Sequence, residues 1–268
     1  MATPAGIIKI AVQANDAVDC LAIFNLLERA KRENREVIAI AMGPAGIMTR
    51  VLGPSRGSFL TYGALDDESA TAPGQLTARQ LRAVFHIDRI KPETEVLGIV
   101  GSPVSQSWSP DMHNAAFIAG GLNAVYLPFE TGDVSEFIRR MAHPKTREID
   151  WTLRGLGVTI PHKSTVMPWL DHVDPIAAEI GAVNTIVVSD DRLLGYNTDA
   201  QGFIAPLLNR FGSVRNARCA VIGAGGAARW CYGRSTEMAQ SLNCLRANQR
   251  HQPSPPEALG LLVINCRG

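Results

Sequence analysis

Short apolar runs rich in β-branched residues alternate along this chain with segments whose apolar residues recur at helical spacing. The runs GIIKIAV at 6–12 and VIAIAM at 37–42 flank a segment at 16–31 that places apolar residues three and four positions apart. Continuous apolar runs are typical of parallel strands that are covered on both faces. The alternation therefore predicts βαβ units and an α/β fold.

A polar joint, KPET at 91–94, interrupts this alternation and predicts a domain boundary near residue 92. Before the joint, the stretch at 65–75 is rich in Asp, Ser, Thr, Pro and Gly, which predicts a loop, and LTARQLRAVFHI at 76–87 is helix-like. After the joint the alternation resumes. Predicted strands lie at 96–101, 123–129, 156–160, 184–188, 219–222 and 261–265, and predicted helices begin near Pro110, span 134–142 and span about 199–210.

Charge and composition exclude several classes of protein. The 26 Lys and Arg residues nearly balance the 25 Asp and Glu residues, which argues against a dedicated binder of nucleic acid or of anionic membranes. No apolar stretch approaches the roughly 18 residues of a transmembrane helix, and the N-terminus lacks a signal-peptide pattern. The five cysteines form no CxxC motif, and the six histidines lack metal-ligand spacing. We expect a soluble, cytoplasmic protein that holds no metal.

A glycine-rich turn follows the predicted strand at 219–222. Glycines let a backbone approach a pyrophosphate closely, and the helix that follows offers free N–H groups and the positive end of its dipole. The turn is therefore a candidate dinucleotide site, although an ordinary tight turn explains the same glycines. Its candidate cofactor-binding residues are Gly223, Ala224, Gly225, Gly226 and Ala227.

Five ordered blocks carry a family resemblance. They are GSPVSQSWSPDMHNAAF (101–117), GVTIPHK (157–163), GAVNTIV (181–187), GYNTDAQG (195–202) and VIGAGGAAR (221–229). Together they resemble shikimate dehydrogenases. Upstream, IIKIAV (7–12), IAMGPAGIMTRVLG (40–53) and TAPGQ (71–75) resemble the C-terminal third of type I 3-dehydroquinate dehydratases. The joined order is similar to that of the plant-type bifunctional enzymes of the shikimate pathway.

The resemblance implies three domains. Residues 1–92 would be a partial (β/α)8-barrel remnant of a dehydratase, because a complete barrel needs about 250 residues. Residues 93–200 would be a shikimate dehydrogenase-like α/β substrate domain, and residues 201–268 an incomplete Rossmann-like NADP domain. The implied reaction is the reversible, NADP-dependent reduction of 3-dehydroshikimate to shikimate in aromatic amino acid biosynthesis. Quinate remains an alternative substrate, and a non-catalytic carboxylate-binding fragment or a misfolding fragment remains an alternative to an enzyme.

For the dehydrogenase, the resemblance implies that Lys163 and Asp199 handle the proton of the substrate hydroxyl. A lysine paired with a carboxylate suits this task, although a surface ion pair at a helix start explains the same two residues. The resemblance also implies that Ser107 and Ser109 hold the substrate carboxylate, and Ser109 is in addition a candidate helix N-cap. The resemblance further implies that Thr159 and Asn184 contact the substrate. Gly157 is a departure, because the family usually carries Asn or Ser at this position.

For the dehydratase segment, the resemblance implies that Lys9 forms a Schiff base with the substrate. Apolar surroundings in the strand would favour its neutral, nucleophilic amine. Arg50 would bind the substrate carboxylate, and Thr71 and Gln75 would lie on a lid. Because the strands that bring the acidic groups and the general-base histidine are expected to precede Met1, we expect no dehydratase turnover.

In the third domain, Arg234 in the segment YGRST resembles the residue that grips the 2′-phosphate of NADP. This segment begins only six residues after Gly226, whereas the usual separation is about 20. We therefore expect the crossover helix and most of a second strand to be missing. An alternative is one long helix over residues 227–247.

Overall fold

The computed structural model describes residues 4–66 and 68–212, together with strands at 217–222, 242–246 and 262–265. The glycine turn and Arg234 lie outside the described residues. The chain divides into two compact units, Met1–His162 with Val187–Leu193, and Lys163–Ile186 with Leu194–Gly268. In the described part of the chain, none of the helices combines the length and the apolar character needed to cross a bilayer.

The beginning of the first unit is the predicted βαβ motif. Strand β1 (Ile7–Gln13) and strand β2 (Glu36–Met42) pair in parallel, and helix α1 (Cys20–Arg32) connects them. Strand β2 is buried over its five central residues, whereas β1 pairs only with β2 among the described strands and is largely exposed. Two short helices follow, α2 (Ile47–Leu52) and α3 (Ala78–Ala83).

A parallel sheet centred on strand β3 (Glu95–Gly101) forms the rest of the first unit. Strand β4 (Ala124–Glu130) pairs with one edge of β3 and strand β5 (Thr152–Val158) with the other. Helix α4 (Ser109–Ala119) covers β4, and Asn114 on α4 bonds the backbone N–H and C=O of Tyr126 at 2.7 and 3.0 Å. A short helix, α5 (Val134–Phe137), continues as a π-helical turn to Ala142.

The next part of the chain forms a hairpin flanked by two helices. Strand β6 (His172–Val173) and helix α6 (Pro175–Ile180) precede strands β7 (Thr185–Ser189) and β8 (Arg192–Tyr196), and helix α7 (Asp199–Phe211) follows. A two-residue turn joins β7 to β8, with φ of 48° at Asp190 and 56° at Asp191. Positive φ at both central residues is the geometry that tight hairpin turns require. The sequence analysis missed β8.

Three parallel strands stand near the C-terminus in the order β10-β9-β11. They are β9 (Ala217–Ile222), β10 (Leu242–Arg246) and β11 (Leu262–Asn265). The expectation that most of a second strand is missing was therefore wrong, because β10 pairs with β9 over five residues. The alternative of one helix over 227–247 was also wrong at 242–246, where the backbone forms this ladder. After β9, the chain forms β10 on one side of β9 and then β11 on the other side.

Within the first unit, three hydrogen bonds connect the segment before the joint to the segment after it. The Asp16 carboxylate accepts hydrogen bonds from Thr131 Oγ1 at 2.8 Å and from the Gly132 N–H at 2.9 Å. Arg56 donates from Nη1 to the Asp150 carbonyl at 2.7 Å. Asp16 also accepts from the Val18 N–H at 3.0 Å, so one carboxylate serves both a local cap and this junction.

Replacing Asp16 should loosen the junction. The two carboxylate oxygens of Asp16 now accept hydrogen bonds from three donors, whereas Asp16→Asn leaves one acceptor oxygen. We therefore expect the free energy of unfolding, measured by chemical denaturation, to fall by about 1–3 kcal/mol. The exposed Glu93 is the control, and Glu93→Gln should change that free energy by less than about 0.5 kcal/mol. Equal stabilities of the two variants would contradict the role given to Asp16.

Candidate functional site

Two hydroxyls stand at the beginning of α4. Ser107 Oγ donates to Ser109 Oγ at 3.1 Å and accepts from the Ser109 N–H at 3.2 Å, and both side chains are half-buried. The prediction of Ser109 as the N-cap was wrong, because Ser109 is already the first helical residue and Ser107 satisfies its N–H. Trp108, between the two serines, is 81% exposed. The pair presents two hydroxyls at the positive end of a helix dipole, which suits an anion.

Thr159 directly follows strand β5 in the first unit. Its N–H donates to the Val100 carbonyl at 3.0 Å, and its own carbonyl accepts from the His162 N–H at 2.9 Å. Two residues earlier, a Cβ built on Gly157 would lie 2.9 Å from the Tyr126 hydroxyl. The phenol of Tyr126 therefore occupies the space in which a side chain at position 157 would begin.

Tyr126 is a site neighbour that the sequence analysis missed. Its ring stacks on His113 with 4.3 Å between centroids, and burial raises the pKa of the phenol to about 12. Burial also lowers the pKa of His113. The signal in the sequence was one polar-tipped residue inside the apolar run of β4, which local periodicity does not distinguish from an ordinary core tyrosine.

In the second unit, Lys163, Asn184 and Asp199 come together. Lys163 Nζ lies 2.6 Å from Asp199 Oδ2, and Asn184 Nδ2 donates to Asp199 Oδ1 at 2.7 Å. Asp199 begins α7, where the helix dipole favours a carboxylate. The lysine side chain is 25% exposed and the aspartate side chain 40% exposed, so the pair remains reachable from solvent. The geometry holds an ammonium group beside a fixed carboxylate, an arrangement suited to proton transfer.

The backbone around these three residues is tied down locally. The Val183 N–H donates to the Lys163 carbonyl at 2.7 Å, and Asn184 Oδ1 accepts from the Thr198 N–H at 3.0 Å. Asn197 donates from Nδ2 to the Ala182 carbonyl at 2.9 Å. Asn184 therefore positions both the turn before α7 and the Asp199 carboxylate.

His162, which precedes Lys163, is a second residue that the sequence analysis missed. It is 3% exposed, and its Nε2 lies 2.8 Å from the Thr131 carbonyl oxygen. Because Thr131 also donates to Asp16, a hydrogen-bonded chain leads from the N-terminal segment to the residue before the lysine. No local pattern marks His162, since the contact joins positions 31 residues apart.

The four residues implied for the dehydratase segment have different surroundings. Lys9 is exposed, with Nζ 4.4 Å from the centroid of the Tyr62 ring. The expectation of apolar surroundings for Lys9 was wrong, because β1 is covered on too little of its surface. Thr71 donates from its N–H and Oγ1 to Gln75 Oε1 at 2.7 and 3.0 Å. Their loop contacts the end of β2, where the Gly43 N–H donates to the Pro73 carbonyl at 2.8 Å.

Arg50 is the most unusual of the four. It is 2% exposed on α2, burial lowers its pKa, and its Nε has no hydrogen-bond partner in the described part of the chain. A buried guanidinium without a partner is costly, and it would be stabilised by an anionic ligand.

Comparisons with known proteins give two family matches in chain order. The model described as type I 3-dehydroquinase matches residues 1–92, and the shikimate dehydrogenase substrate binding domain matches residues 99–186. The chain is 36% identical over 264 residues to a chloroplastic bifunctional 3-dehydroquinate dehydratase/shikimate dehydrogenase of Arabidopsis thaliana, with 92% of this chain and 42% of that protein covered. It is 46% identical over 143 residues to a shikimate dehydrogenase (NADP(+)) of Moorella thermoacetica, with 53% and 46% covered.

A solved shikimate dehydrogenase in complex with NADP+ is similar in fold. Its TM-score is 0.50 at 39% sequence identity, and the match covers 58% of this chain and 51% of that chain. The chain thus spans about half the length of the relatives and the structure that it matches.

Tyr126 predicts a pH dependence of stability. Because its pKa is about 12 in the folded chain and about 10 when unfolded, the unfolded chain releases the proton first as the pH rises. The stabilisation by the protonated phenol is complete below pH 10. The free energy of unfolding should fall by about 2–3 kcal/mol as the pH rises towards 12. In denaturation series, Tyr126→Phe should show a shallower decline than the parent chain. A variant of the exposed Tyr62, Tyr62→Phe, controls for the loss of one phenol, and parallel declines for all three chains would contradict the prediction.

Removing the buried charge of Arg50 should raise stability. Arg50→Met keeps the apolar stem and deletes a buried guanidinium whose Nε has no partner in the described part of the chain, so we expect a gain on the order of 1 kcal/mol, measured as a higher Tm. The exposed Arg79 provides the control, and Arg79→Met should leave the Tm unchanged. A lower Tm for Arg50→Met would show that the guanidinium supports the fold.

Proposed function

We propose that this chain carries the shikimate-binding and proton-transfer groups of an NADP-dependent shikimate dehydrogenase. Its residues 1–92 match the type I 3-dehydroquinase family, and its residues 99–186 match the shikimate dehydrogenase substrate binding domain family. The reaction is the reversible reduction of 3-dehydroshikimate to shikimate. The observation that carries the proposal is the 2.6 Å contact of Lys163 with Asp199, whose second oxygen Asn184 holds. The proposed compartment is the cytoplasm.

Lys163 is the proton-transfer residue of this proposal. Oxidation of a secondary alcohol removes a hydride from carbon and a proton from oxygen, and the lysine amine accepts that proton. In the reduction, the ammonium group returns the proton to the carbonyl oxygen as the hydride reaches the carbon. Asp199 balances the charge of the ammonium group and fixes its position, and it is itself held by Asn184 and by the start of α7.

Ser107 and Ser109 are proposed to bind the substrate carboxylate. Their two hydroxyls stand at the beginning of an eleven-residue helix, where the positive end of the helix dipole favours an anion. Thr159 and Asn184 are proposed to bind ring hydroxyls. Because Gly157 offers no side chain, the Tyr126 phenol is the nearest polar group above that position.

NADP fits the strand order near the C-terminus. The first strand, β9, lies between β10 and β11, so the chain reverses sides there, and dinucleotides bind at such switch points beyond the carboxyl ends of the strands. The turn Gly223–Ala227 follows β9 directly and would hold the pyrophosphate, and Arg234 would hold the 2′-phosphate. When bound, NADP exchanges a hydride with the substrate.

A non-catalytic carboxylate-binding role is the second candidate function. Arg50 favours it, because the Nε of this buried guanidinium lacks a partner within the described residues and therefore suits a carboxylate. Lys9, Thr71 and Gln75 are proposed to contact the same ligand. This role needs neither turnover nor a cofactor.

The test is calorimetric titration of the chain with shikimate, quinate and NADP+, separately and together, followed by assay of NADPH formation. We expect shikimate to bind more tightly than quinate, and NADPH to form only when shikimate and NADP+ are combined. Ser107→Ala and Ser109→Ala should each weaken shikimate binding roughly 10- to 150-fold, the loss of one hydrogen bond to a charged group.

Lys163→Met separates catalysis from binding. It should reduce turnover by about 100-fold or more while shikimate affinity stays within a few fold of the parent value. The exposed Lys145 is the matched control, and Lys145→Met should retain full turnover. Shikimate binding without NADPH formation in the parent chain would refute the catalytic role, and absence of any shikimate binding would refute the binding roles proposed for the serines.

A further inference from the structure

A cavity of about 480 Å³ lies in the first unit, where the two family segments join. One wall is the segment at 85–94, which ends with the polar joint. The other wall is the C-terminal half of α4 with the loop that leads into β4. None of the residues assigned above to a substrate or a cofactor lines it. The volume is in the range of small-molecule sites, roughly 300–1,000 Å³.

The lining combines an apolar wall with free positive charge. Phe85, Ile90, Ile118 and Leu122 supply apolar surface. Arg89 and Lys91 are exposed at the rim and form no ion pair among the residues that the structure describes. The one acidic residue of the lining, Asp88, lies 4.0 Å from Arg82.

Hydrogen bonds fix both walls in place. Thr94 is buried, donates to Asn123 Oδ1 at 2.7 Å, and accepts from the Lys91 N–H at 2.9 Å. On the other wall, Asn114 is held to the Tyr126 backbone by its two hydrogen bonds. A site whose walls are already ordered loses little conformational freedom when a ligand binds.

We propose that this cavity binds a small organic anion that carries a carboxylate on a flat apolar ring, with the carboxylate at Arg89 and Lys91 and the ring against Ile118 and Leu122. A ring without a charge would make only apolar contacts. An inorganic anion without a ring would leave the apolar wall exposed to solvent. Both parts of the ligand are therefore needed. The proposal is independent of the function proposed above, because it uses none of the same residues.

Benzoate is the probe, with benzamide as its neutral isostere and inorganic phosphate as an anion without a ring. Each is titrated into the ¹⁵N-labelled full chain at constant ionic strength, and amide shifts are followed by NMR. We expect benzoate to shift the amides of Ile118 and Leu122 with a dissociation constant on the order of 1 mM. Benzamide and phosphate should bind at least 5-fold more weakly.

Three variants locate the binding. Arg89→Gln and Lys91→Gln should each weaken benzoate binding several-fold, and Arg79→Gln, which alters an exposed arginine outside the lining, should not. Equal shifts with benzamide, unchanged affinity in both lining variants, or benzoate shifts confined to Ser107 and Ser109 would each overturn the proposal. All three positions are on the surface, so loss of folding does not confuse the result.

Discussion

The constraint on which the first unit depends is that parallel strands end at the same edge of their sheet. Strands β3, β4 and β5 deliver their following loops to one edge, and these loops are fastened to one another. The Ser102 N–H donates to the Ile160 carbonyl at 2.9 Å, and the Thr131 N–H to the Gly101 carbonyl at 3.0 Å. Glu130, the last residue of β4, accepts from Ser102 Oγ at 2.6 Å and from the Val104 N–H at 2.9 Å. The loop that carries the two serines is thus held by the strand beside it.

Local sequence patterns predict the parts of the fold that repeat with a period. The strands before the joint and around β3, and the helices α1 and α7, are long enough for apolar runs and apolar periodicity to reveal them, whereas α4 is predicted from its start at Ser109 and Pro110. Strand β8 was missed because its five residues form a hairpin through a turn of two aspartates, and β10 because the pairing with β9 is not encoded in LNCLR. Pairing partners lie elsewhere in the chain, so a short strand carries too little signal of its own.

Burial of individual charged residues is equally non-local. Lys9 stands in an apolar run, yet it is exposed, because the described part of the chain pairs β1 with β2 alone. Arg50 stands in a six-residue helix of mixed character, yet it is 2% exposed. Lys163 and Asp199 are 36 residues apart, and only the family resemblance suggested that they meet. The sequence therefore indicates these residues by their type, but it does not determine their surroundings.

The surroundings matter because they determine what each cation can do. Lys163 has a carboxylate at 2.6 Å and remains partly open to solvent, so its charge is balanced before any ligand arrives. Arg50 is buried and its Nε has no hydrogen-bond partner among the residues that the structure describes, so its charge is best balanced by a ligand that brings its own anion. A guanidinium also keeps its proton throughout the physiological range, whereas an amine can release one. The paired lysine thus suits proton transfer, and the unpaired arginine suits binding.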